Sequence, residues 1–195
     1  MAVVISLDDR RTEPADAQLV QAARNGDREA METLYRRHVR MAAGLAYRIL
    51  GRPHEVDDVV QDAFVAALRG LSSLHDGQAF AKWLGSIVVR VARRRIQRAR
   101  LRRRLRITPT DPLDVDRLVS ESAPPDVAAE LRAVYELVDG LPPDERIALV
   151  LRRVEGLTVP EIAERMGRST ATVKRRLGSA EERLTGRLGE RGRSS

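Results

Sequence analysis

Residues 107–126 read ITPTDPLDVDRLVSESAPPD, with four prolines and five acids against a single arginine. Proline interrupts helices and central strands, and so acidic a stretch cannot bury enough apolar surface to fold alone. Whatever this chain folds into must therefore be two modules joined by a linker. The expected division is a tail at 1–15, a first module at 16–106, the linker at 107–126, a second module at 127–188 and a tail at 189–195.

Both modules read as helical. Leu and Ala are abundant and aromatic residues make up only 3% of the chain; Leu and Ala lose little rotamer freedom in a helix. Asp16 is expected to cap a short helix carrying Leu19, Val20 and Ala23, which Asn25-Gly26 breaks. Asp27 caps a second helix running to about Leu50, and Gly51 and Pro53 end it. Its apolar positions Met31, Leu34, Tyr35, Val39, Ala42, Leu45, Ala46 and Ile49 are spaced for one buried stripe. A third helix runs from near Glu55 to Gly70, the segment 71–79 is a loop, and a fourth helix runs from Phe80 to near Arg106. In the second module Asp126 is expected to cap a helix bearing Val127, Leu131, Val134 and Val138. Pro142-Pro143 opens the next, with Ile147, Leu149, Val150 and Leu151. Thr158 and Glu161 have the spacing of a capping box. Gly167 ends that short helix, and Ser169 caps the last one. The fold class expected is all-α.

The segment Leu157 to Leu184 has the pattern of a helix-turn-helix, whose second helix enters the major groove of DNA. Val173, Leu177, Ala180 and Leu184 share an inward face, which leaves Thr172, Lys174, Arg175 and Arg176 largely facing out. A structural hairpin with a solvated basic face would carry the same pattern. The net charge of +7 favours a polyanionic partner. The run Arg90 to Arg106 holds ten Arg in seventeen residues and no acid. Such like charges repel, so the expected partner is an external anion, the alternative being a solvated face. Trp83, just before the run, is either a core anchor or a platform for an unstacked base. On the third helix Asp58, Gln61, Asp62 and Val65 fall at i, i+3, i+4 and i+7. That stripe suits a basic protein surface, or plain solvent, and not DNA.

The chain has no Cys, which excludes disulfides and thiolate zinc sites. No apolar run approaches the roughly 18 residues of a membrane span, and Met1 to Asp9 lacks a basic leader and cleavage signal; no membrane insertion and a cytoplasmic location are expected. His38, His54 and His75 are isolated, and Asp57 and Asp58 beside His54 diverge on a helix. No phosphate loop or nucleophile elbow is present. No catalytic residue, cofactor or metal is expected, and the chain is not expected to be an enzyme. The residues leave open a subunit that directs a larger machine, a stand-alone operator-binding regulator using the helix-turn-helix, and an RNA-binding adaptor using the Arg run.

DAQLVQAARNGDREAMETLYRRH, VDDVVQDAF, FAKWL and GLPPDERIALVLRRVEGLTVPEIAERMGRSTATVKRRL stand in this order along residues 16–188. Together they resemble the extracytoplasmic-function (ECF) sigma factors of the sigma-70 superfamily. The resemblance implies a region 2-like module that grips the β′ clamp helices of core RNA polymerase through Asp58, Gln61, Asp62 and Val65. It implies that the 71–80 loop and the following helix capture the melted −10 element, through Leu74, His75, Phe80, Lys82, Trp83, Arg90, Arg93 and Arg94. It implies a region 4-like module that docks on the β flap and reads the −35 element through Arg168, Ser169, Thr170, Thr172, Lys174, Arg175 and Arg176. Promoter DNA, core polymerase and an anti-sigma factor are the implied partners. Arg90 and Arg94 stand where the family usually has Asn and often Asp, and Ser179-Ala180-Glu181 where it often has Arg-Ala-Arg. The promoter sequence therefore does not carry over.

Overall fold

The computed structural model describes residues 14–105 and 135–191. The expected linker at 107–126, the start of the helix expected from Asp126, and most of both tails lie outside the described residues. Within them the structure is helical, with no strand. Four helices form the first module: α1 (Asp16–Arg24), α2 (Arg28–Leu50), α3 (Val56–Gly70) and α4 (Phe80–Arg104). Residues 135–139 are helical, and three further helices follow: α5 (Pro143–Arg153), α6 (Val159–Met166) and α7 (Thr170–Arg191).

Local chemistry accounts for most of the boundaries. The Asp27 carboxylate accepts the amide hydrogens of Glu29 and Ala30 at 2.9 and 3.2 Å, satisfying two of the donors that every helix start leaves open. Gly51 ends α2 in the left-handed region at φ +60°, where a residue without Cβ carries no penalty. At α1 the expected cap is displaced. Asp16 is the first helical residue, and Ala15 precedes it, its N–H donating to the Gln18 side chain at 3.1 Å. The Asp16 carboxylate instead meets Arg37 at 2.7 Å and His38 at 2.8 Å on α2. Two partners across the helix pair outweigh one local amide bond.

The two modules are not separate. An apolar cluster built from Val20, Leu34, Ile49, Val59, Ala63, Leu84 and Val88 continues without a break into Ile147, Leu151, Ile162 and Met166 of the second module. Helix α5 is the reason. Every residue from Glu145 to Leu151 is buried, which a helix achieves only when covered on all sides. It is packed by α2 and α4 from the first module and by α6 and α7 from its own. A smaller cluster of Leu141, Leu149 and Ala180 holds α7 to α5. Ion pairs rim the seam: Arg48 with Glu155, Lys82 with Glu164 at 2.6 Å, and Arg93 with Asp144 at 2.5 Å. At its centre Asp139 takes Arg146 at 2.5 Å, Arg52 at 3.0 Å and Arg103 at 3.4 Å.

Candidate nucleic-acid interface

The helix-turn-helix is built by three local devices. Thr158 and Glu161 close a capping box at the start of α6, with the Thr158 N–H donating to the Glu161 carboxylate at 2.7 Å. Those bonds hold the Glu161 carboxyl below its ordinary range. Gly167 makes the turn at φ +62°. The Ser169 hydroxyl then accepts the Thr172 N–H at 3.2 Å, capping α7. Val173 and Ala180 are buried, and Leu177 packs against the core. Lys174 and Arg175 consequently stand exposed on the first two turns, with Arg168, Ser169 and Thr170 exposed at the turn before them. Thr172 is half-buried against Ser169, and Arg176 leans back to within 4.0 Å of the buried Glu145. The sequence departure at 179–181 has a structural account: Ala180 is fully buried and Glu181 binds Arg153 of α5 at 2.7 Å.

The expected −10 residues divide into two sets. His75, Lys82, Arg90 and Arg94 stand at the surface, and Trp83 is half-buried, leaning over Gly70 and lying 6.1 Å from the Phe80 ring. Leu74 and Phe80 are buried, at 5% and 1% exposure. They anchor the loop instead of offering a surface, because large apolar residues bounding a short connection fold inward. Arg93 is also drawn in, paired with Asp144 of the second module.

Within the described residues, the Arg run from 90 to 104 is only partly open to an outside anion. Arg95 binds Glu55 at 3.0 Å and Asp58 at 2.9 Å, Arg103 faces Asp139, and Arg100 donates to the Gly140 carbonyl at 2.9 Å. Burial works against the charge on Arg95, but Glu55 and Asp58 together raise its pKa above the usual guanidinium value. The missing acids of the run come from elsewhere in the chain, 36 to 51 residues away in the case of Asp139 and Asp144. The sequence offered no local sign of this.

On α3, Asp58, Gln61, Asp62 and Val65 are all exposed. Tyr35 of α2 and Leu68 beside them are large apolar side chains left at 44% and 39% exposure. The stripe opens into a groove of about 520 Å³ between α3 and α4, lined by Asp62, Val65, Arg69, Arg94 and Arg98 among others. Acidic, apolar and basic groups thus meet on one face. A second groove of about 480 Å³ runs between α5 and α7, lined by Tyr135, Val138, Leu149, Val154 and Leu184 with Arg48 and Arg153 at its rim.

Arg24 was not singled out by the sequence. At the last turn of α1 its Nε donates to the Leu71 carbonyl at 3.2 Å and its Nη2 to the Leu74 carbonyl. Among the described residues no cluster of three or more His, Asp or Glu forms a metal site, and no described helix is long and apolar enough to cross a membrane.

A basic helix-turn-helix on one helical module and an exposed acidic stripe on another define an all-helical, two-module DNA-binding protein. Family models agree with each half. Residues 34–102 match sigma-70 region 2 and residues 131–184 match sigma-70 region 4. The chain is 34% identical to the ECF RNA polymerase sigma factor SigM of Mycobacterium tuberculosis, over 92% of this chain and 87% of that one. It is 31% identical to the ECF RNA polymerase sigma-E factor of Escherichia coli K12, over 89% and 94%. Among solved structures, CnrH in complex with the cytosolic domain of CnrY is similar at a TM-score of 0.57 and 28% identity, covering 91% of this chain and 99% of that one. The chain belongs to the ECF sigma factors of the sigma-70 superfamily.

Proposed function

We propose that this chain binds core RNA polymerase and directs it to promoters by recognising −10 and −35 elements, the polymerase alone performing catalysis. The observation that carries the proposal is the exposed stripe Asp58, Gln61, Asp62 and Val65, flanked by Tyr35 and Leu68, on a chain of net charge +7. A stand-alone operator-binding regulator has no use for such a face, whereas a subunit gripping a basic helix pair of the β′ clamp does. The region 2-like unit is assigned to 16–106 and the region 4-like unit to 127–188. His75, Lys82, Trp83, Arg90, Arg93 and Arg94 are assigned to the −10 element. Taking a base out of the stack costs a few kcal/mol, which a pocket and arginine–phosphate bonds offset. Arg168, Ser169, Thr170, Thr172, Lys174, Arg175 and Arg176 are assigned to the −35 element. The apolar groove between α5 and α7 is assigned to the β flap. CnrH was solved in complex with the cytosolic domain of CnrY, and for this chain a protein partner that holds it inactive is proposed. Work with the polymerase places the chain in the cytoplasm.

The test is transcription in vitro with core polymerase. Core plus this chain is expected to start at defined sites that core alone ignores. Asp62→Arg is the cleaner probe of the stripe, since Asp58 is already engaged by Arg95, and is expected to weaken core binding. Lys174→Ala or Arg175→Ala is expected to lose about 1–3 kcal/mol at the −35 element if the side chain reaches a base edge. A tight, sequence-specific footprint by the free chain without polymerase would sink the proposal in favour of the stand-alone regulator.

A further inference from the structure

Helix α3 ends at Gly70, and residues 71–73 make one further tight turn before the chain crosses to α4. A carbonyl that closes a helical turn still has a lone pair to offer a cation: that of Leu71 takes the Leu74 N–H at 3.3 Å and has one left. Here the cation comes from another helix. Arg24 spans the turn with one edge of its guanidinium, Nε to the Leu71 carbonyl at 3.2 Å and Nη2 to the Leu74 carbonyl, while its Nη1 is braced by Gln21 at 3.3 Å. Two carbonyls three residues apart are thereby held at a fixed separation by a planar group, something a point charge such as Lys cannot do. The Leu71 and Leu74 side chains point the other way, into the core, at 3% and 5% exposure. The far end of the loop rests on the same helix: a Cβ at Gly77 would lie 2.6 Å from the Ala17 Cα. Between these anchors Ser72, Ser73, His75 and Asp76 are exposed.

We infer that Arg24 is a positioning residue for −10 recognition: by clamping the Leu71 and Leu74 carbonyls it fixes the backbone from which the 71–79 loop presents its side chains to the melted strand. The inference rests on the promoter-reading role proposed above. Arg24 touches no base; it acts through the loop. Its contribution is orientation, so its loss leaves −35 reading and core binding alone and relaxes discrimination at −10.

Two measurements on the full-length chain test this. Trp83 is the single tryptophan and its ring packs 3.5 Å from where a Gly70 Cβ would stand, so its emission reports the loop's seat without any promoter. Arg24→Ala is expected to shift Trp83 emission, raise its quenching by acrylamide, and speed hydrogen exchange of the 72–78 amides. Arg24→Lys, which keeps the charge but loses the fork, is expected to recover these only in part. With core polymerase, on a promoter the wild-type holoenzyme uses and its single-base variants, Arg24→Ala is expected to lose about tenfold of the −10 discrimination, the loss of one charge-assisted bond pair. Discrimination at −35 and affinity for core are expected to stay at the wild-type value. Unchanged Trp83 emission and amide exchange overturn the inference, as does an equal loss at −10 and −35, which marks a general destabilisation. A loop that loosens in a protein whose wild type adds no start-site selectivity to core would overturn the functional reading and leave the clamp standing.

Discussion

Asp139 gathers Arg52, Arg103 and Arg146 at the seam between the modules. Burial alone would push its carboxyl up, but Arg146 and Arg52, joined by Arg103, outweigh that and hold it below the ordinary carboxylate range. Arg146 is 1% exposed and spends its other edge on the Leu50 carbonyl at 2.7 Å, so Asp139 is its only counter-charge in hydrogen-bond contact among the described residues. Asp139→Asn is expected to destabilise the chain by about 3 kcal/mol, read by urea unfolding, because a buried guanidinium is left without its partner. The sign of the pH dependence follows from the depressed pKa. The stabilisation is fully present above the unfolded value of about 4 and is lost as pH falls through the lower folded value. Wild type and Asp139→Asn should therefore differ by a constant amount from pH 5 to 7 and converge below about 4. None of this was visible in the sequence, since Asp139 meets Arg52 across 87 positions. The exposure of Asp58, Gln61, Asp62 and Val65 was visible, because helical spacing alone settles which residues share a face. Leu74 and Phe80, expected at the −10 element, are buried in this arrangement: a family pattern says which segment matters, and burial decides which of its side chains reach the surface.

At the scale of elements, whatever depends on neighbours a few positions apart was legible. The Asp27 cap, the Thr158–Glu161 box, the Gly167 turn and the Ser169 cap all stand as the residue types dictate. The burial of α5 on every side was not, although its unbroken Ile147 to Leu151 run exceeds what an amphipathic stripe needs and was the available sign. Two glycines test how far local chemistry governs. Gly167 sits at φ +62° with nothing within 4 Å of the place a Cβ would take, so Gly167→Ala meets no clash and only the left-handed backbone resists it. The cost is expected to be about 1 kcal/mol. Gly178 lies inside α7, also with open space and no positive φ. There Ala is expected to stabilise by about 0.5–1 kcal/mol. Thermal unfolding of the two variants should move in opposite directions, and a shared direction would mean that packing, not backbone preference, controls the turn.

For the molecule as a whole, the packed arrangement sets a condition on promoter binding. The −10 and −35 elements lie about 25 base pairs apart, which is roughly 85 Å of duplex at about 3.4 Å per pair. Here the two modules share one apolar cluster, and cations assigned to DNA are occupied by acids of the opposite module: Lys82 by Glu164 and Arg93 by Asp144. The α3 stripe remains exposed in this arrangement. Reading both elements at once therefore requires the modules to part, whereas gripping the polymerase through α3 does not. The chain has no Cys, so cysteines introduced at paired positions on either side of the seam are unique handles. In the double variant Arg48→Cys and Glu155→Cys, joined by a short bis-maleimide, the modules are held together at a pair outside the assigned DNA contacts. Arg48 stands at the rim of the groove assigned to the β flap, so the joined protein is expected to keep the grip of its α3 stripe on the isolated β′ clamp helices and to lose initiation at promoters that need both elements. The unjoined double variant, and each single variant treated with the same reagent, should initiate normally. Initiation by the joined protein at the unjoined rate would mean that the two modules read a promoter without separating, and that the ion pairs along their seam do not mask the DNA-facing cations.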